Sequence, residues 1–323
     1  MASIASLMIG VIHISISDLS NYFMHKINLS DQHSYVLESI RFPRTLGAIL
    51  VGALLSLSGL VLQAAMKNDL AEPSLLGVST GASFSTSIAI VLVPTLSIPF
   101  LYNGSPIVFA FVGSLFTVII LSRLSTIGYK TDVSQLILTG VAINALAGAG
   151  TGLMNFLSDD EQLRTISFWM MGSLSGMSVF KLSVLSFTLV CCFLFFQINF
   201  KKLNLLTLGE NEAQSLGMNV ELFKKKIIIL VSLAVGTTVA FCGVIGFVGL
   251  VVPHVSRILL GNDHKKNIPA TVLLGSLLLL VADIISRVIV LPAELPIGIV
   301  TAMIGAPFFI HLLRRNQKRL QAC

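Results

Sequence analysis

The stretch Ile227–Leu260 reads IIILVSLAVGTTVAFCGVIGFVGLVVPHVSRILL, and the way it divides decides the fold. It is an apolar run of about 34 residues. A helix crossing the hydrocarbon core of a bilayer needs only about 20. Gly243, Gly246, Gly249 and Pro253 crowd its second half, where they favour a break. The run therefore predicts two spans, near 227–244 and 247–260, the second of them short.

Outward from that break, further apolar runs lie at roughly 2–16, 45–66, 75–94, 106–122, 134–156, 179–199, 269–290 and 295–313. With the split, the expected count is ten. The bulk composition agrees with a chain that faces lipid. Of 323 residues, 54% are hydrophobic and 11% charged, against about 25% charged in an average soluble domain. Mean hydropathy is +0.90. So many apolar runs exclude a cleaved secretory signal as the main explanation. The first run is short and lacks a basic flank, which predicts a tilted or incomplete first helix.

Charge places the ends of these spans. With the N-terminus inside, the inner segments hold Lys67, Arg123, Lys130, Lys201, Lys202, Lys224, Lys225, Lys226, Arg257, Lys265, Lys266, Arg314, Arg315, Lys318 and Arg319. The outside keeps Lys26, Arg41, Arg44, Arg164, Lys181 and Arg287. That is a clear positive-inside bias, and it puts both termini in the cytoplasm. The net charge of +6 thus reads as topology rather than as a nucleic-acid footprint. Cys191, Cys192, Cys242 and Cys323 show no metal spacing and imply no disulfide framework. Glycines and small residues inside the spans, such as Gly47, Gly52, Ser56 and Gly59, and Gly140, Gly148 and Gly152, predict close helix packing. The chain has no H-E-x-x-H and no phosphate-binding G-x-x-x-x-G-K-[ST], so any ATP hydrolysis falls to a partner.

Three polar or Pro/Gly-rich stretches stand out: RFPRTLGAILVGALLSLSGLVLQAAMKNDLAEPSLLGVSTGA from Arg41, GVIGFVGLVVPHVSRILLGNDHKKNIP from Gly243, and ADIISRVIVLPAELPIGIVTAMIGAPFFIHLL from Ala282. The first carries R-x-P-R (Arg41, Pro43, Arg44), S-G-x-x-x-Q (Ser58, Gly59, Gln63), and a loop of Asn68, Leu70, Ala71, Pro73, Leu76 and Gly77. With these three motifs in order, the chain resembles the FecCD family of ABC permeases. It departs from the family pattern at Asp69, where a proline is usual.

The resemblance implies an all-α polytopic fold of the type II ABC importer kind, forming a single permease domain over 1–323. It implies import of a ferric siderophore, with haem or cobalamin as alternatives. The implied partners are a second permease subunit, two cytoplasmic ATPase subunits and an extracytoplasmic substrate-binding protein or lipoprotein, in a bacterial cell membrane. No cofactor or metal, no nucleic acid and no catalytic residue is expected. An ion-coupled secondary transporter is the other class. It would want carboxylates near the midplane, and Asp283 is the single acid well inside a run.

Residue roles follow from the resemblance. Arg41, Arg44 and Arg287 match arginines that pair with carboxylates of the binding protein; snorkelling to headgroups is the plainer account. Asp283 lies at i−4 to Arg287, so an internal ion pair competes with docking. The segment 203–220, LNLLTLGENEAQSLGMNV, is expected to be a cytoplasmic helix–turn–helix that seats in the ATPase, through Leu206, Gly209, Glu212, Ala213 and Gly217. Tyr129–Ser134 resembles a cytoplasmic gate, and spans 5 and 10 would line the pathway with Thr139, Asn144 and Thr301. His254, Met170 and Met171 are read as structural rather than as metal or haem ligands.

Overall fold

The computed structural model describes residues 2–10, 31–95, 105–127, 130–131 and 133–321. The second half of the first expected span, Lys26, and Tyr129 and Asp132 of the expected gate loop lie outside the described residues. Lys130–Thr131 of that loop pairs antiparallel with Thr126–Ile127 in a two-residue bridge.

The helices are α1 (Ala2–Met8), α2 (Phe42–Met66), α3 (Val78–Thr95), α4 (Ser105–Leu124), α5 (Val133–Leu157), α6 (Asp160–Met170), α7 (Val179–Ile198), α8 (Phe200–Leu208), α9 (Glu210–Ser215), α10 (Val220–Cys242), α11 (Val248–Leu260), α12 (His264–Val288) and α13 (Ile297–Gln321). A short helical and π-helical lead-in, Asp31–Tyr35 and Val36–Arg41, feeds α2. Among the described residues, six helices are long and apolar enough to cross a membrane, and three shorter apolar ones are Val78–Pro94, Val248–Leu260 and Ile297–His311. Together they occupy the second to tenth expected span positions.

The expected division of the 227–260 run is observed. Helix α10 stops at Cys242, where Gly243 caps it at φ 71°, and α11 begins at Val248. One boundary differs from the sequence expectation. Helix α12 starts at His264, five residues ahead of Pro269, with the Asp263 side chain accepting from Lys265 N–H. Proline inside a helix frees the carbonyl four residues back. Here that carbonyl, Lys265 O, accepts a hydrogen bond from Gln197 Nε2 at 3.3 Å, so the helix passes through the proline. Pro253 is accommodated in the same way: Gly249 O accepts from Gln63 Nε2 at 3.4 Å.

Helix α2 is the hub. In its most apolar window 83% of residues are buried, against 17% for α7 at the periphery. It packs on α12, α11, α10 and α7. The small residues make this possible. A Cβ at Gly52 would meet Gly275 O of α12, and one at Gly59 would meet Gly249 O of α11. Ser56 Oγ donates to Thr271 O at 3.0 Å, across the same seam. Gly59→Ala is therefore expected to push α2 off α11, costing roughly 1–3 kcal/mol, read as a lower thermal midpoint of the detergent-solubilised protein. Gly148 and Gly152 of α5 differ from the packing expectation: among the described residues, nothing lies within 4 Å of a Cβ at either position. Their side of α5 is open, with Leu146 and Phe156 exposed.

Candidate functional site

At the end of the bundle away from the lysine-rich loops, α2 begins and α12 ends. Pro43 lies in the first turn of α2 between Arg41 and Arg44, where the helical lead-in runs on into α2. Both arginines, and Arg287 of α12, are buried, with 4%, 7% and 5% of their surface exposed. The sequence reading put them at the outer mouth of the spans; here their guanidinium groups are engaged within the chain.

Asp283, fully buried, sits between two of them. Arg44 Nε donates to its Oδ1 at 2.8 Å, and Arg287 Nη2 lies 3.1 Å from its Oδ2. Of the two accounts of Asp283 and Arg287, the internal ion pair is thus present, and it extends to Arg44. Arg44 Nη1 also donates to both carboxylate oxygens of Glu294, at 3.0 and 2.8 Å. The remaining donors turn to α1. Arg41 Nη1 donates to Leu7 O and Met8 O at 2.6 and 3.0 Å. Arg287 Nη1 donates to Ser6 O and Ile9 O, both at 3.1 Å, and its Nη2 to Ser6 Oγ at 2.8 Å. Two guanidinium groups therefore cap the carbonyl end of α1, where the helix dipole is negative. Main-chain oxygens of α1 accept from the guanidinium donors that Asp283 and Glu294 do not take up.

Sequence reasoning missed Glu294. The signal was available: it and Asp283 are the acids of the Ala282–Leu313 stretch. Glu294 keeps 44% of its side chain exposed and lies on the rim of a cleft of about 570 Å³. Arg44, Glu161, Arg164, Trp169 and Pro296 also line it. Helix α6, held by a reciprocal capping box of Asp159 and Gln162, forms one wall.

At the lysine-rich end, 203–220 folds as α8 and α9. Gly209 separates them, and a side chain there would collide with the Glu212 carboxylate. Gly217 follows α9 at φ 81°, a conformation that suits glycine. Leu206 and Ala213 are buried, which ties the pair to the bundle. Two polar links reinforce this. Lys224 Nζ of α10 donates to Glu210 Oε1. Asn204 Nδ2 donates to Asp263 Oδ1 at 2.9 Å while Asn204 Oδ1 accepts from His264 N–H at 3.0 Å. The Asn204 amide, with Lys265 N–H, holds the Asp263 carboxyl below its usual range. Leu208 and Leu216 stay exposed at this end.

The three pathway candidates each sit in a different local setting. Thr139 is buried and lines a cavity of about 610 Å³ between α3, α4 and α5. Asn144 Oδ1 accepts from Thr80 Oγ1. Thr301 of α13 donates to Gly298 O at 3.1 Å. The His254 ring meets Phe308 edge-on at 5.9 Å. Gly77–Val78–Ser79–Thr80–Gly81 formally fits the serine-hydrolase pattern G-x-S-x-G. A nucleophile elbow needs a strand before an exposed serine; here a 3-10 turn, Pro73–Leu76, precedes a buried Ser79.

The chain is 39% identical over 313 residues to the hemin transport system permease protein HmuU of Yersinia pestis, spanning 97% of this chain and 93% of that protein. It is 38% identical over 277 residues to the vitamin B12 import system permease protein BtuC of Vibrio cholerae, spanning 86% and 82%. Its fold matches a metal-chelate type ABC transporter solved in an inward-facing conformation, with a TM-score of 0.84, 32% identity, and 97% and 95% of the two chains covered. The PsaBC structure from Streptococcus pneumoniae shares the fold at a TM-score of 0.53 and 16% identity, over 83% and 89% of the chains. The sequence profile of the FecCD transport family matches residues 1–315, and the chain belongs to that family.

Proposed function

We propose that the chain is the membrane-spanning permease subunit of an ABC importer for a chelated metal, a ferric siderophore first. The observation that carries this is the family match over residues 1–315, which takes in the spans, the arginine end and the 203–220 segment alike. The relatives' names share one chemistry, a metal held inside an organic chelate: hemin, vitamin B12 and a metal-chelate. Haem is the second reading, favoured by 39% identity to HmuU over 97% of this chain.

The lysine-rich end faces the cytoplasm, with both termini, as the positive-inside rule asks. There α8 and α9 seat in an ATPase subunit through the turn around Gly209–Gly217, while Asn204 and Lys224 carry the ATPase's movement into α12 and α10. Exposed Leu208 and Leu216 support a covered surface at that end. A second permease subunit covers the open side of α5. At the outer end a binding protein docks on the cleft beside Arg44 and Glu294, while Arg41 and Arg287 hold α1 behind it. Alternating access driven by ATP moves the cargo.

Co-purification with its ATPase tests the assignment. The complex should hydrolyse ATP, and loaded binding protein should raise the rate. A chain that takes up cargo with no ATPase bound would refute it. Gly217→Arg puts an L side chain at φ 81°, at a strain of about 1–2 kcal/mol. Nothing lies within 4 Å of a Cβ there, so the bundle itself is spared. ATP hydrolysis should continue while cargo uptake falls; equal loss or retention of both would count against the coupling role.

A further inference from the structure

The three stretches singled out in the sequence meet at one residue, Phe247. It lies in the break between α10 and α11 with φ 68°, a region that side chains with a Cβ rarely adopt. Three things hold it there. Its N–H donates to Glu72 Oε1 at 2.7 Å, from the loop between α2 and α3. Its carbonyl starts α11 by accepting from Leu250 N–H and Val251 N–H at 3.2 and 2.9 Å. Its side chain lies on Gly305 of α13, where an added Cβ would collide with Phe247 Cβ and come within 2.7 Å of the ring.

The start of α13 is fixed separately. Ile297 N–H donates to Gly172 O at 3.1 Å and Gly298 N–H to Met171 O at 3.0 Å. Ser173 N–H in turn donates to Cys242 O at 2.7 Å, at the end of α10. Helix α13 is thus pinned at its first turn by main-chain bonds. Further along, at Gly305, it bears on the Phe247 side chain, whose backbone is strained, and one turn on, Phe308 meets the His254 ring of α11 at 5.9 Å. A pinned end and a strained bearing point make a lever.

We propose that Phe247 is a positioning residue that sets the angle between α11 and α13, with Glu72 as its latch. While Glu72 accepts the Phe247 N–H, the residue stays left-handed and its side chain stays on Gly305. When that bond breaks, Phe247 relaxes to an ordinary conformation, its ring leaves Gly305, and α13 swings about its first turn. The consequence for transport, a change in the pathway beside α13, rests on the permease reading above; the lever itself does not.

Spin labels test it without ATP, cargo or partner. In a background carrying Cys191→Ala and Cys323→Ala, cysteines replace Ile258 on α11 and Met303 on α13, both exposed. A control pair replaces Phe187 on α7 and Leu273 on α12, also exposed. Distances are read by double electron–electron resonance in lipid nanodiscs. The unaltered pair should give one dominant distance. Glu72→Ala should raise a second population ~10-fold, the scale of losing one buried hydrogen bond. Glu72→Gln should not, because its carbonyl oxygen still accepts from Phe247 N–H. Gly305→Ala should shift the main distance, and Phe247→Gly added to it should return the distance. The control pair should hold throughout. An unchanged Glu72→Ala, equal effects of alanine and glutamine, or a control pair that moves as much would overturn the lever. Failure of ATP-driven uptake would instead strike the permease reading and leave these distances untouched.

Discussion

Asp283→Leu is expected to destabilise the protein by about 3–5 kcal/mol, the cost of leaving buried charges without their partner. Among the described residues, Asp283 is the one carboxylate that touches both Arg44 and Arg287, at 2.8 and 3.1 Å, and no part of it reaches solvent. Removing it takes the shared carboxylate away from two buried guanidinium groups. Arg44 keeps Glu294, and Arg287 keeps the α1 carbonyls, so the fold has some recourse. The second half of the prediction is more discriminating. Adding Arg44→Met to Asp283→Leu should recover much of the loss, because a buried pair replaced by apolar groups of similar volume is often neutral. Thermal unfolding in detergent measures both. A double variant no better than the single would show that the damage is packing, not charge.

Arg44→Glu is expected to lower uptake by about 100-fold or more while the permease still assembles with its ATPase. Truncating one member of a buried charge pair costs about 2–5 kcal/mol. Reversal is harsher, since it sets a third carboxylate beside Asp283 and Glu294. The disturbance is confined to the end that carries the 570 Å³ cleft, far along α2 from the surfaces that α8 and α9 offer. Co-purification reads assembly, and cargo accumulation in proteoliposomes reads transport. Unchanged uptake would remove Arg44 from the docking site. Lost assembly would show instead that the arginine end only holds the fold.

Local chemistry was legible in the sequence. Gly243 and Gly246 announced the break in the 227–260 run, and Gly209 and Gly217 the turns at either end of α9. Gly52 and Gly59 announced the α2 seams, because close approach needs a missing Cβ. Partnerships across long separations were not legible. Glu294 reaches Arg44 over 250 positions and Phe247 reaches Glu72 over 175. No periodicity encodes such pairs. The same limit hid what the three arginines hold inside the chain. Charge counting assigns a side of the membrane, but it does not show that α1 offers carbonyls to Arg41 and Arg287. Hydropathy began the apolar run at 269, because polar residues fill the first turn of α12 before Pro269. The carbonyl that proline frees finds Gln197, which lies 68 positions away from Lys265.

These partnerships also bear on the secondary-transporter alternative. Asp283 is the acid such a mechanism would need, and both of its oxygens already face arginines. A carboxylate so committed is poorly placed to take up and release a coupling ion.

The most direct test of the importer assignment is uptake into proteoliposomes holding the permease with its ATPase, and with the binding protein on the outer face. Iron–ferrichrome, haemin and cyanocobalamin are offered in parallel. The account predicts accumulation of a metal chelate, iron–ferrichrome foremost, that requires ATP on the lysine-rich side and stops when ATP is withheld. Accumulation that proceeds without ATP on an imposed ion gradient would contradict it.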